Sequence, residues 1–144
     1  MYERILFPTD GGPASSEALD QVVALSTHFE ATVHVLFVVD ESTIATDVDT
    51  TSLVDQLEMS GDNAIQETTE SLRAAGCETV VEAVVRGKPA DRILEYADAN
   101  DIDLIVMGTH GRTGLDRYLL GSVTESVVRN STTPVLTLRK EESE

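Results

Sequence analysis

Apolar runs short enough to be strands alternate along the chain with stretches whose apolar residues return every three or four positions. The runs are "RILFPT", "TVHVLFVVD", "TVVEAVVRG", "DLIVMG" and "PVLTL". Continuous apolar runs belong to strands buried on both faces, the condition of a parallel sheet covered by helices. Between the first two runs, "GGPASSEALDQVVALSTHF" repeats Ala14, Ala18, Val22, Leu25 and Phe29 on one helical face, and Pro13 suits a first helical turn. A longer helix is predicted from about Leu53 to Ala75, closed by Gly76. "KPADRILEYADAN" sets Ile93, Leu94 and Ala97 in an apolar stripe behind Pro89, and a last helix is predicted to start near Ser122. The segment "ESTIATDVDTTS" is polar and without period, and reads as a mobile loop.

This alternation predicts an α/β fold: an open, doubly wound, Rossmann-like sheet of five parallel strands, in a single domain covering residues 1–144. Right-handed crossovers leave such a sheet with a switch point in strand order, and ligands bind there, at the carboxyl ends of the strands. The groups just after each run are therefore the ones to weigh: Thr9 and Asp10, Val39 and Asp40, Gly87, and the segment beginning at Gly108.

Charge changes the picture next. Against 26 acidic residues stand 10 basic ones, with Lys88 and Lys140 the only lysines and a formal net charge of -16. Binding to nucleic acid draws on Lys and Arg neutralising phosphates, and no basic stripe is present, so DNA and RNA are not expected partners. Self-repulsion of this size weakens a compact fold in dilute buffer, whereas at about 1 M salt the Debye length falls to about 3 Å. A salt-rich, halophilic cytoplasm is the expectation. No stretch reaches the run of about 18 apolar residues that a membrane span needs, and "MYERILFPTD" lacks the basic start and apolar middle of a secretory signal. The single cysteine, Cys77, excludes an internal disulfide and reads as a small apolar side chain.

Candidate chemistry gathers in "GTHGRTGLDRYLLGS", Gly108 to Ser122, which follows a strand and leads into a helix. Backbone amides in such a place can hold a phosphate chain, with Gly108 and Gly111 around one end and Gly121 and Ser122 presenting the helix start to the other. The structural alternative is that Gly108 ends a strand, Gly111 and Gly114 shape a turn, and Ser122 caps a helix. "SVTE" is a capping box on this alternative, Ser122 bonding the amide of Glu125 and Glu125 reaching back. On spacing alone the two readings weigh equally. Neither a G-x-x-x-x-G-K-[ST] loop nor a G-x-G-x-x-G fingerprint occurs, so the positioning and charge stabilisation of phosphoryl transfer have no evident source.

The string reads G-x2-G-x9-G-[ST] on Gly108, Gly111, Gly121 and Ser122, and it resembles the nucleotide-binding motif of the ATP-binding branch of the universal stress protein family. "ILFPTDGGPASSEAL", "GKPADRIL" and "SVTESVVRNSTTPVLTLR" extend the resemblance over nearly the whole chain. The resemblance implies the five-stranded open sheet of the adenine nucleotide alpha hydrolase-like folds. It implies that Pro8, Thr9 and Asp10 lie near adenine and ribose, that Val39 forms part of the adenine pocket, and that Met107 lies beneath the nucleotide. Gly108, His110, Gly111, Gly121, Ser122, Val123 and Thr124 then line ribose and phosphates, and Arg112 is the nearest cation to the phosphates. ATP is the expected ligand, with Mg2+ or Mn2+, and no metal-ligand residue is assigned.

Three functions compete on this reading. The leading one is an ATP-binding stress-response module that signals through a partner or its own assembly. The second is slow ATP hydrolysis or adenylate formation, because "TDGGPASS" falls where related folds carry S-G-G-x-D-S, but Asp10 replaces the serine and Ala14 the aspartate, and no catalytic base is named. The third is an interaction protein in which the glycines only shape turns. The last strand, with a short acidic tail, offers an open edge, and the family commonly dimerises there, so a homodimer is expected through Val135, Leu136, Thr137 and Leu138.

Overall fold

The second apolar run forms a strand buried at every position but its first, and the rest of the sheet is laid on either side of it and its neighbour. The computed structural model describes residues 1–9, 16–40, 50–108 and 121–138. The elements are β1 (Arg4–Thr9), α1 (Ser16–Phe29), β2 (Thr32–Val39), α2 (Thr50–Ala74), β3 (Val80–Arg86), α3 (Pro89–Ala99), β4 (Leu104–Gly108), α4 (Ser122–Asn130) and β5 (Val135–Leu138). All pairings are parallel, in the order β3-β2-β1-β4-β5. The chain thus winds outward from β1 to β3, then returns across β1 to build β4 and β5 on the other side.

Alternation along the strands divides the core in two. Ile5, Phe7, Val33, Val35, Phe37, Val39, Leu104 and Val106 face α1 and α2, where Ala18, Val22, Ile65 and Leu72 meet them. Leu6, Leu36, Val38, Ile105 and Met107 face α3 and α4, against Ile93, Ala97 and Val127. A sheet sealed on both faces needs apolar residues at successive strand positions, which is why the runs are continuous. The predicted stripes of α1 and α3 are the faces turned inward, with Ala18, Val22, Ile93 and Ala97 buried. Pro13 and Ala14 lie outside the described residues.

Two expectations need adjustment at α2. The helix begins at Thr50, so Thr50 to Ser52 are helical and not part of a loop; residues 41–49 lie outside the described residues. Hydroxyl residues suit a first turn and need no apolar stripe, so periodicity detects the helix late. Its end is as expected: Cys77 N donates to Leu72 O at 3.0 Å and Gly76 N to Arg73 O at 3.1 Å, with Gly76 at φ 113. This is a Schellman motif, and buried Leu72 and Cys77 supply its apolar contact. Two other helices close the same way without glycine. Ala31 N reaches Ser26 O past Glu30 (φ 54), and Ile102 N reaches Ala97 O past Asp101 (φ 52).

The amino ends of the strands are tied down as well. Asp103 accepts the amides of Glu3 and Arg4 on Oδ2 at 2.8 and 3.0 Å, fixing the start of β1 to the approach to β4. Buried Cys77 sits with its Sγ 2.9 Å from Ser26 Oγ, inside the α1–α2 core as a small side chain.

Candidate functional site

The seams on the two sides of β1 end differently. Glu3 O accepts the amide of Thr32 on the β2 side, and Arg4 O accepts the amide of Asp103 on the β4 side. Odd positions of β1 therefore turn to β2 and even ones to β4. The β1–β2 pairing continues to Thr9 and Phe37. The β2–β3 pairing closes through Val39 and Arg86, with Gly87 N on Val39 O at 3.0 Å. The β1–β4 pairing stops at Leu6 and Ile105, although β4 stays paired with β5 as far as Gly108. The next even position is Pro8, which has no N–H to donate. A proline in a central strand is ordinarily disfavoured; here it stands where the β1–β4 ladder ends. The end of the ladder falls at the reversal of strand order, where open α/β sheets take their ligands.

The start of α4 stands next to this opening. Its N-cap is Gly121, no side chain among the described residues caps it, and Ser122 is the first helical residue. The expected capping box is therefore corrected: Ser122 sits one position too far along to cap. Glu125 does not reach back, since its carboxylate pairs with Arg129 at 2.5 Å, one turn onward. That i,i+4 Glu–Arg spacing is readable in the sequence and gives the carboxylate a partner on its own helix face. The first intrahelical bond is Glu125 N to Gly121 O at 2.8 Å, so the amides of Ser122, Val123 and Thr124 have no acceptor within the helix. Amides with no acceptor in the helix and the positive end of the helix dipole favour an anion at such a place.

Of the sequence-derived residues, Thr9 and Pro8 are half-buried at the end of β1, Met107 is buried and Gly108 exposed at the end of β4, and Ser122 is exposed at the start of α4. Val39 is fully buried at the end of β2, in the core on the α1–α2 face, whereas Met107 belongs to the opposite face. Val123 is half-buried against that second core. Thr124 is 5% exposed, and its hydroxyl donates to Gly108 O at 2.9 Å. The structure thus brings the end of β4 to the first turn of α4. Asp10, His110, Gly111 and Arg112 lie outside the described residues.

Other polar features lie elsewhere. His34, near the amino end of β2, is buried with Nδ1 2.7 Å from the Tyr96 hydroxyl. Burial pulls its pKa below 6.5, the Arg4 charge adds to the effect, and burial raises that of Tyr96. A polar groove of about 420 Å³ runs between α2 and β3, lined by residues such as Asp62, Glu70, Arg73 and Glu82. Among the described residues no group of three or more His, Cys, Asp and Glu is placed to hold a metal ion, and no helix is long and apolar enough to cross a membrane.

Known proteins share this arrangement. The model of the universal stress protein family matches residues 1–139. The chain belongs to that family. Universal stress protein MJ0531 of Methanocaldococcus jannaschii is 35% identical over 147 residues, covering 100% of this chain and 86% of the relative. The solved structure of MJ0577 from the same organism, described as a structure-based assignment of biochemical function, has a TM-score of 0.87 at 35% identity and covers 99% of each chain. A universal stress protein solved in complex with cAMP has a TM-score of 0.69 at 26% identity, covering 96% of this chain and 97% of that one. The family and the five-stranded parallel fold are thereby established, as read from the sequence.

Proposed function

We propose that this chain is an ATP-binding universal stress protein, a nucleotide-dependent module that acts in the cytoplasm through its own assembly or a partner. The observation that carries the reading is the start of α4, without a side-chain cap among the described residues, beside the end of the β1–β4 ladder. Amides without an acceptor and a crevice at the switch point suit a phosphate chain and its nucleoside. The relative in complex with cAMP supports an adenine nucleotide as the ligand class.

On this reading Pro8, Thr9, Asp10, Val39 and Met107 surround adenine and ribose. Gly108, His110, Gly111, Arg112, Gly121, Ser122, Val123 and Thr124 surround the phosphates. Mg2+ or Mn2+ accompanies the triphosphate, because a chain of formal net charge -16 has few cations to offset it. Charge-assisted hydrogen bonds of about 1.5–3 kcal/mol each, with burial of the base, are enough for micromolar affinity, about 8 kcal/mol. The reading is one of binding rather than turnover, and no residue is given the role of catalytic base. The open edge of β5, half-buried from Val135 to Leu138, joins two copies in a two-fold homodimer.

The test is a calorimetric titration with ATP and Mg2+ in molar KCl. Saturable binding near one nucleotide per chain, abolished by Gly111→Val in a folded protein, is the expected result. A folded, nucleotide-free protein that gives no heat with any adenine nucleotide refutes the reading, and a monomeric mass by light scattering at the same salt refutes the dimer.

A further inference from the structure

We infer that the side chain of Thr124 positions the phosphate end of this site through the hydrogen bond it makes behind the ligand, leaving only the residue's backbone amide to face the phosphates. The inference rests on the nucleotide reading above. Thr124 is the third residue of α4, is 5% exposed, and donates its one hydroxyl proton to Gly108 O at 2.9 Å. With that proton committed, the side chain has no donor left for a phosphate. Among the described residues no other hydrogen bond joins α4 to a strand.

The bond fixes the two parts of the cradle to each other. Gly108 ends β4 at the open seam, and the amides of Ser122 and Val123 start the helix opposite. Val123 and Val127 hold the face of α4 against the core through non-directional packing. Such packing leaves the turn free to rotate by small amounts, whereas a hydrogen bond to a strand carbonyl sets its azimuth and height. Ligand affinity from preformed amides depends on that preorganisation, since a misplaced donor must be moved before it can bond.

Thr124→Val keeps the shape and removes the bond; Thr124→Ser keeps the hydroxyl. Affinities for ATP and adenosine are measured by calorimetry with Mg2+ in molar KCl for the full chain and both variants. The valine variant is expected to lose about tenfold in ATP affinity with adenosine affinity unchanged, and serine to restore ATP binding. A merely structural role would weaken both ligands together and leave their ratio as it was. If the unsubstituted chain binds ATP and the valine variant keeps the original ATP-to-adenosine ratio, the positioning role is overturned and the nucleotide site stands. If the unsubstituted chain binds neither ligand, both fall. Should the valine variant not fold, Thr124→Ala carries the same comparison.

Discussion

Gly61 occupies the interior of α2, where glycine costs about 1 kcal/mol relative to alanine. Propensity alone therefore predicts that Gly61→Ala stabilises the protein by that amount. The packing predicts the opposite. An added Cβ would lie 2.1 Å from Cδ2, 2.5 Å from Cε2 and 2.8 Å from Cγ of Phe37, where carbon atoms settle at about 3.5–4.0 Å. Three atoms of one ring are involved, and the ring is 7% exposed in the α1–α2 core, so relief requires α2 to move off the sheet or Phe37 to leave its rotamer. Overpacking of this kind costs about 1–3 kcal/mol, and the closeness of the clash argues for the upper part of the range. Set against the propensity gain, the net loss is about 1–2 kcal/mol, or a fall in Tm of roughly 3–8 °C for a chain of this size. Urea unfolding in molar KCl measures it. The double variant Gly61→Ala with Phe37→Leu should lose less than the sum of the single losses, since leucine lacks the ring atoms that clash. A gain in stability for Gly61→Ala, or strict additivity in the double variant, would refute the close-approach argument.

Three further outcomes are expected. Glu30→Gly should raise stability by about 0.5–1 kcal/mol by relieving the left-handed conformation at φ 54, while Glu30→Gln, which removes the charge but not the strain, should not; equal gains would assign the effect to charge. Burial, with Arg4 adding, holds the folded pKa of His34 below 6.5, so the unfolded chain binds this proton more tightly. The stability linked to His34 is then full above pH 6.5 and is lost as pH falls through the folded value. The stability difference between the unsubstituted chain and His34→Asn should accordingly shift against the former below pH 6.5, and a flat difference across that range contradicts it. Finally, with a formal net charge of -16, Tm should rise between dilute and molar KCl as repulsion is screened; a Tm indifferent to KCl counts against a salt-adapted surface.

The strands were legible because a strand covered on both faces must be apolar at each position, and that leaves a run with clear ends, as in "TVHVLFVV". Gly76 was legible for a related reason: the left-handed residue that closes a helix is commonly glycine. The same motif at Glu30 and Asp101 leaves no such mark, since tertiary contacts around Ala31 and Ile102 hold the residue in place. Gly61 reads in sequence only as a weak point of a helix; its cause is a ring twenty-four positions earlier. At α4 the hydroxyl of Ser122 and the carboxylate of Glu125 have capping spacing, but Gly121 takes the cap position and Arg129 takes the carboxylate. The end of β4 and the start of α4, which the glycine motif joins, do meet; its reading as a cradle, with Asp10, His110, Gly111 and Arg112, rests on the resemblance.

The departures from ordinary local rules are not scattered. At the amino ends of the strands each loose end is secured: Asp103 takes two backbone amides, and three helices close in Schellman motifs, two of them at the expense of a left-handed acidic residue. At the carboxyl ends, a proline interrupts pairing in the middle strand, a helix begins with no side-chain cap, and a glycine is left exposed at the end of an otherwise buried strand. A sequence selected for stability alone would put an N-H donor at position 8 and a cap at position 121, each worth about 1 kcal/mol. Both are missing among the described residues at the reversal of strand order, while the opposite edge is fastened, and on the proposed function this is what a binding edge costs a fold. Thr124 is the exception that fits the rule, because its bond to Gly108 stabilises this edge from behind and leaves the first amides of α4 without an acceptor in the helix.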